Sequence, residues 1–318
     1  MKRDFEKELT LAVRETKRFD AGETDFIVRQ LLAVKSKLYA VEYPTLRAMD
    51  FIPMASDVDA YDEAIVWQME DQFGQADWVA NDADDLPDVD VAVGESTPTP
   101  IGTIALQYGY SWLDLGRAAK SKAPLPQRKA LRARRGVAER IEVALRSGNS
   151  SGKIPGFLNN PNAQAAIAAA GNYTIAALST AQAIAADIEK HIVGIGVDTL
   201  GMHRATQIVL PLSTYGTLNT TPWSASGQSD TTILQWLQAH HPDISFDSWY
   251  ALETAGAGGV KRMLVYEKNP DVVEGQLPLD FYELPAQNRG LGLKVPCVAR
   301  CGGTILRLPK ALRYVDGV

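Results

Sequence analysis

The chain has little of the chemistry that most catalytic and metal sites require, since its 318 residues include two cysteines and four histidines. Cys297 and Cys301 lie four positions apart in a segment that its valine content predicts to be a strand, where such residues stand about 13 Å apart. That distance is too long for a disulfide, so we expect two free thiols. A tetrahedral metal site would need two further ligands, and no histidine lies near these cysteines in sequence.

Long hydrophobic runs are also absent. No apolar run approaches the roughly 18 residues that a membrane helix needs, and the first twenty residues carry charges throughout, unlike a secretory signal. We therefore expect synthesis and assembly in the cytosol, with no membrane partner. The length favours one large or two joined domains, and 46% hydrophobic with 22% charged residues is typical of a folded protein. A net charge of -6 argues against a general nucleic-acid binder.

No catalytic or cofactor motif is present. The chain lacks G-x-S-x-G and H-E-x-x-H, and the glycines of GIGVDTLG do not have dinucleotide-binding spacing. The carboxylates between residues 57 and 95 do not follow the EF-hand pattern. We predict no catalytic, cofactor or metal residue. An enzyme built from scattered residues remains an alternative, with Cys297, Cys301, His203 or Asp198 as its candidates.

Charge is strongly segregated along the chain. From Ala48 to Gly116 there are fifteen Asp or Glu residues and no Lys or Arg, whereas Arg117 to Arg146 holds ten Lys or Arg and only two Glu. The basic stretch is predicted to be a helix, because apolar residues recur at helical spacing and Gly148 can end it. Its outer face would carry Arg128, Arg132 and Arg135. We expect an acidic surface to meet them.

A long hairpin is predicted before that helix. Residues 64–70 alternate in polarity, as do residues 104–110, and about thirty residues rich in Asp, Gly and Pro separate them. So long an irregular loop usually has a function, and we interpret it as an arm that reaches another subunit. The candidate contact residues in this region are Asp82, Asp84, Asp85, Asp88, Asp90, Trp67 and Trp78.

The remaining segments predict alternating helices and strands. Ser111 with Asp114 forms a capping box, and Ser179 with Gln182 a second capping signal. The next helix would bury Ile184, Ile188, Ile192 and Ile195, and we expect His191 in its last turns to be solvated or to interact with the helix dipole. Strands and helices then alternate from about 176 to 270, which indicates an α/β layer. The C-terminal strands are expected to rejoin the sheet near the basic helix.

The order of these parts resembles the major capsid proteins of tailed bacteriophages, which share the Hong-Kong-97-type fold with encapsulins. The resemblance covers about residues 25 to 318. It depends on six segments taken in order: FIPMASDV before AIVWQME, LPDVDV, IALQYGYSWLDLGRAA, the helix after PLPQRKA with the turn PGFLNNPN, QIVLPLSTYGTL, and CGGTILRLPKALRYVDG.

The resemblance implies an α+β capsid fold with five parts. These are an N-terminal arm (1–50), an extended β-hairpin loop (51–110), a peripheral domain (111–175) with a long spine helix (126–147), an α/β axial domain (176–270) and return strands (271–318).

The resemblance also implies partners. The chain would assemble with itself into pentamers and hexamers of a virion shell, with portal, scaffold or decoration proteins and non-specific contact to packaged DNA. An encapsulin-like shell around protein cargo is the alternative. No motif transfers the cross-linking residues found in some members. Because only about fifty residues precede the loop, we expect either a trimmed chain or a separate scaffold.

Overall fold

The structure is a computed structural model that describes residues 44–55, 57–73, 90–121, 128–174, 178, 180–224 and 231–318. The chain divides at Thr45 and Leu46 into two units, and the helices and strands given below all belong to the second. Most of the predicted N-terminal arm lies outside the described residues.

Six α-helices lie in the described part of the second unit. They are α1 (Ala48–Phe51), α2 (Trp112–Ser121), α3 (Arg128–Ser147), α4 (Ala181–Asp198), α5 (Leu212–Thr220) and α6 (Ile233–His240). Short 3-10 helices cover Tyr250–Thr254, Ala257–Gly259 and Pro309–Ala311.

Fifteen strands accompany these helices in the described residues. They are β1 (Ala64–Ile65), β2 (Gln68–Phe73), β3 (Asp90–Glu95), β4 (Thr99–Pro100), β5 (Gly102–Ser111), β6 (Ile167–Ala168), β7 (Gln207–Leu210), β8 (Ser245–Ser248), β9 (Arg262–Tyr266), β10 (Val273–Gln276), β11 (Leu279–Glu283), β12 (Gln287–Asn288), β13 (Gly292–Cys301), β14 (Gly303–Leu306) and β15 (Leu312–Asp316).

A five-stranded sheet of order β6-β15-β9-β7-β8 separates two hydrophobic cores. Because successive side chains of a strand point to opposite faces, β9 contributes to both cores. Met263 and Val265 face the core formed with α4, α5 and α6, whereas Leu264 and Tyr266 face the core that contains α3. The predicted strands of the α/β layer are confirmed here.

A second sheet carries α3. Its central strand β13 pairs with β5 over ten residues, from Gly292 opposite Ser111 to Cys301 opposite Gly102. The other edge of β13 pairs with β11 and β12. The C-terminal strands therefore return beside the basic helix, as the sequence predicts. Cys297 and Cys301 are buried free thiols on this strand.

Helix α3 forms because apolar residues line one side at helical spacing. Ala133, Val137, Ile141 and Leu145 are all buried. The helix is followed by Gly148, whose φ of 71° is accessible to glycine without strain. A Cβ at this position would lie 2.2 Å from the Ile154 carbonyl oxygen, so no other residue fits the turn.

The helix starts confirm one predicted cap and correct the other. Asp114 N–H donates to Ser111 Oγ at 3.2 Å, and Ser111 N–H donates to Asp114 Oδ2 at 3.4 Å, which confirms the capping box. Helix α4 is capped by Thr180 rather than Ser179, because the Thr180 hydroxyl accepts from Ala183 N–H. Helix α6 is capped by Thr232, whose hydroxyl accepts from Gln235 N–H.

The predicted pairing of residues 64–70 with 104–110 is wrong. Strand β1 pairs instead with β4, and β2 pairs with β3, from Gln68 opposite Glu95 to Phe73 opposite Asp90. Strand β5 pairs with β13, which matches its full ten-residue length. The hairpin is therefore a narrow β2–β3 ribbon, and β5 belongs to the sheet under α3.

The expectation for His191 is also wrong. Its side chain is 0% exposed. The ring is buried because α4 lies with this face on the five-stranded sheet, where Ile188, Ile192 and Ile195 form part of the same core. The isoleucine pattern itself is confirmed.

Candidate assembly surface

The outer face of α3 is basic, and Arg132 is one of the three arginines that the sequence predicts for it. Lys129, Arg132, Arg134 and Arg140 are exposed, opposite the buried apolar face of the same helix. Arg135 is half-buried. The helix thus presents a basic ridge above the sheet that supports it.

Several of these cations brace the helix against its own subunit. Lys129 Nζ donates to the Gly109 carbonyl at 2.8 Å and lies 4.6 Å from the Tyr110 ring centroid. The Arg134 guanidinium lies 5.9 Å from the ring centroid of Phe281, on β11. Cation–π contacts of this kind stabilise by about 0.5–1 kcal/mol at exposed sites.

Arg135 is paired within the helix itself. Its Nε donates to Glu139 Oε1 at 2.8 Å, the i, i+4 spacing that places two side chains on neighbouring turns. The predicted contact of Arg135 with a neighbouring acidic surface therefore competes with an internal ion pair. Arg132 is exposed on the same helix.

A groove lies between β5 and α3. Its volume is roughly 450 Å³, and its lining includes Ile104, Leu106, Gly136, Val137 and Arg140. Gly136 keeps the groove open, because a Cβ there would lie 3.3 Å from Leu106 Cδ2. The floor of the groove is apolar, because Ile104, Leu106 and Val137 line it.

A second hollow continues this groove along α3, lined by Leu106, Tyr108, Lys129, Arg132 and Ala133. Burial, and after it the charge of Glu283, raises the pKa of Tyr108 above its ordinary value. The tyrosine is neutral near pH 7 and adds no negative charge to the basic rim. We name the two connected hollows the β5–α3 groove; its surface is apolar, with Lys129, Arg132 and Arg140 at its edges.

The β2–β3 ribbon exposes apolar side chains, as the floor of the β5–α3 groove does. Met69, Val91 and Val93 are about half exposed, at 52%, 48% and 57%. The register places Val91 and Val93 on one face, opposite Gln72 and Glu70, while Met69 faces the other way. A two-stranded hairpin is only marginally stable alone in water. Apolar side chains on both faces indicate that the ribbon packs on another surface.

Trp67 helps to hold the base of this ribbon. Its N–H donates to Ser96 Oγ at 3.0 Å, and its carbonyl accepts from Ser96 N–H at 2.9 Å. The tryptophan is half-buried. Its backbone therefore positions the ribbon, in addition to any contact that its indole makes.

The other predicted contact residues are only partly placed. Asp82, Asp84, Asp85, Asp88 and Trp78 lie outside the described residues. The backbone of Asp90 begins β3, and the backbone of Arg128 begins α3, but their side chains are not among those described. Their role in subunit contacts stays a prediction.

Sequence reasoning missed the role of Glu142, a buried acid within the basic helix. Its carboxylate accepts from Ala48 N–H at 2.9 Å and from Arg47 N–H at 3.3 Å, so it caps the start of α1. Ala48 and Phe51 are buried in the same core. A signal was present, since Glu142 lies four positions after Ala138 and three before Leu145, on the apolar side of the helix. Helix α1 therefore belongs to the packed core.

A scan against protein-family models finds a match over residues 74–318, more than half of the chain, to the family described as major capsid protein. The chain belongs to the major capsid protein family. It is therefore a structural subunit of a phage-type shell. No curated protein sequence matches it.

Solved capsids confirm the predicted fold class. The capsid of Myoviridae phage XM1 is 17% identical, with a TM-score of 0.75, and the match covers 91% of this chain and 98% of that one. An empty GTA particle capsid is 14% identical, with a TM-score of 0.60 over 90% and 94% of the two chains. Mycobacterium phage Bobi gives 13% identity and a TM-score of 0.58 over 94% and 99%.

Two further observations describe this capsid protein. No helix among the described residues is long and apolar enough to cross a bilayer. Within the same residues, no group of three or more His, Cys, Asp or Glu side chains is arranged to hold a metal ion.

Proposed function

We propose that this capsid protein assembles into pentamers and hexamers that close an icosahedral head around double-stranded DNA. The observation that carries the proposal is that one chain holds both an exposed apolar and acidic ribbon and an apolar groove with a basic rim. In a shell of identical subunits, the ribbon of one subunit packs into the β5–α3 groove of the next.

The chemistry of the two surfaces supports this contact. Burial of Met69, Val91 and Val93 stabilises the interface by about 25 cal/mol for each Å² removed from water. Glu70 and Glu95 on the ribbon are exposed acids that can meet the cations at the groove's edges. Exposed ion pairs contribute only about 0–1 kcal/mol each, so apolar contact supplies most of the affinity. The charges set the register and the rate of association.

The contact joins two different surfaces of the same subunit. Head-to-tail contacts of this type form closed rings when the rotation between subunits is suitable. Rings of five and six subunits are the capsomers that an icosahedral shell requires. Binding of the ribbon in the groove of the next subunit is thus the contact by which we propose that this capsid protein assembles.

The finer features of the proposal follow from the same family membership. The shell would assemble in the host cytoplasm with portal and scaffold or decoration proteins, and its contacts with DNA would be non-specific. We assign the chain no catalytic role. A shell around protein cargo, or a small-oligomer enzyme, would contradict the proposal.

A substitution in the ribbon tests the contact. Val91→Asn places an amide where the proposal requires an apolar contact, and we expect light scattering and electron microscopy to show fewer closed shells. Val260→Asn is the matched control, because Val260 is 43% exposed, close to the 48% of Val91, and lies away from the ribbon. Equal assembly by the two variants would contradict ribbon docking. A purified chain that forms only small oligomers would contradict the shell itself.

A further inference from the structure

His191 is a buried histidine without a hydrogen-bonding partner. It lies on α4, is 0% exposed, and neither Nδ1 nor Nε2 has a hydrogen bond within the described residues. Buried polar side chains nearly always have a partner, so each exception needs an explanation. Its role in packing alone would be served as well by an apolar residue.

The charges around the ring come from α4 and from β15. Asp187, one turn earlier, has its Oδ2 3.7 Å from His191 Nε2, which is longer than a hydrogen bond. That oxygen already accepts from Ala170 N–H and Tyr173 O–H, both at 3.1 Å. Lys190 is the exposed neighbour of His191 on the helix.

Arg313 reaches the same place from β15. Its Nη2 donates to the Gly194 carbonyl at 2.8 Å and to Asp198 Oδ2 at 2.5 Å. The inner face of α4 thus carries a row of polar groups, from the buried Asp187 and His191 to the Gly194 carbonyl and the partly exposed Asp198. The two aspartates already have donors, and a neutral His191 lies between them.

These surroundings oppose a charge on the ring. Burial is the largest cause and lowers the pKa of His191, the Asp187 carboxylate raises it, and Lys190 and Arg313 lower it, so that the pKa lies below its ordinary value. Above that pKa the ring is neutral and fits the core. A charged ring would need water or a full ion pair.

We propose that His191 makes the packing of α4 on the five-stranded sheet sensitive to acid. Protonation places an unsolvated cation between α4 and β15, next to Arg313. The helix then moves away from the sheet, or water enters beside it, until the ring is solvated. This effect of His191 protonation is independent of the proposed contact between ribbon and groove, since it occurs within one subunit.

The direction of the pH dependence follows from proton linkage. In the unfolded chain His191 has an ordinary histidine pKa, about 6.5, and therefore binds a proton at higher pH than in the folded chain. The free energy of unfolding falls as the pH decreases through about 6.5, and it stops falling below the folded pKa. Acid thus loosens the domain within the range where histidine changes charge.

Substitution of His191 tests the proposed acid sensitivity of α4 packing in the full-length chain. His191→Phe keeps an aromatic ring of similar size without a titrating group, and His191→Leu is the second variant if the first does not fold. Thermal unfolding and amide hydrogen exchange of residues 181–198 are followed from about pH 8 to about pH 5. His240→Gln is the matched control, because His240 is exposed at the end of α6.

The unmodified chain and His240→Gln are expected to lose several degrees of melting temperature more than His191→Phe over this range. Once the rates are corrected for the pH dependence of intrinsic amide exchange, the 181–198 amides of these two proteins should lose at least several-fold more protection than those of His191→Phe. Exchange at the His191 ring carbon, measured by mass spectrometry on the unmodified chain, should show the lowered pKa even if both variants fail to fold. An ordinary pKa for His191, or identical pH profiles for all folded variants, would overturn the proposal.

Discussion

Gly194 shows how one residue fixes the position of α4. The Arg313 side chain crosses the helix at this glycine, and a Cβ there would lie 1.9 Å from Arg313 Nη1. The guanidinium could then no longer reach both the Gly194 carbonyl and Asp198. The close approach of helix and sheet therefore depends on the absence of a side chain.

Gly194→Ala is accordingly expected to destabilise the fold, by about 1–3 kcal/mol from overpacking. Gly196→Ala is the control, because its Cβ would meet only the His203 carbonyl oxygen at 3.8 Å. That change should be neutral, or stabilising by up to about 1 kcal/mol, since alanine favours a helix over glycine. Denaturant unfolding measures both variants, and equal stabilities would contradict the role of Gly194.

Asp316 and Arg262 form an ion pair that links β15 to β9. Arg262 Nε donates to Asp316 Oδ1 at 2.6 Å, and Nη2 donates to Oδ2 at 2.8 Å. Burial would raise the pKa of Asp316, but the hydrogen bonds from Arg262 and from Ala257 N–H outweigh it and lower the pKa. A carboxylate with a lowered pKa stabilises the fold above its unfolded pKa, about 3.9.

Asp316→Asn should therefore lower the free energy of unfolding at neutral pH. The loss should reach up to about 3–5 kcal/mol, the range for breaking a buried ion pair such as Arg262–Asp316. The difference from the unmodified chain should begin to shrink as the pH falls below about 4, because the unfolded chain then binds the proton first, and it should be smallest below the lowered folded pKa, where Asp316 is protonated in both states. Urea unfolding at several pH values measures it, with Asp243→Asn as a control at an exposed aspartate. A difference that stays constant with pH would refute the assignment.

At the residue scale, contacts between neighbours in sequence could be predicted, whereas contacts between residues far apart in sequence could not. The Ser111 capping box is visible because both partners lie within one turn. The burial of His191 was not, since it depends on β15, where Arg313 bonds to a carbonyl 119 positions earlier in the chain. The Thr180 cap shows that adjacent hydroxyl residues compete and only the folded backbone decides between them.

Among the elements, the long helices were predictable and the strand partners were not. The apolar spacing of α3 and the isoleucines of α4 report the buried face directly. Strand β5 alternates in polarity whichever partner it has, so its pattern could not distinguish β13 from the strand before it. The β5–α3 groove therefore could not be foreseen, although one of the cations on its rim, Arg132, was among the predicted contact residues.

Charge at the groove's edge is expected to control assembly. Arg140→Glu reverses a cation of the groove and should slow assembly, measured by light scattering, several-fold at low salt. The defect should diminish at high salt, because exposed charges are screened beyond about 10 Å at 0.1 M ionic strength. Lys190→Glu, an equal reversal on the exposed side of α4, is the control. An assembly rate independent of salt in the unmodified chain would contradict a role for these charges.

At the scale of the whole molecule, the two largest of the five sheets in the described residues both contact α3, which lies on the four-stranded sheet and packs into a core of the five-stranded one. The ribbon composed of β2 and β3 exposes apolar side chains, and the groove beside α3 exposes an apolar floor. The family match and the solved capsids with the same fold agree with a subunit that is completed by its neighbours. The charge segregation in the sequence predicts contact between subunits, but it does not indicate the ribbon and the groove that we propose for that contact.

The most direct measurement is an electron cryomicroscopy reconstruction of the particles formed by the purified full-length chain. The account predicts closed shells in which Val91 and Val93 of one subunit lie in the β5–α3 groove of the adjacent subunit, near its Arg132 and Arg140. A soluble monomer whose ribbon lies on its own α3, or a shell in which that groove is empty, would contradict it.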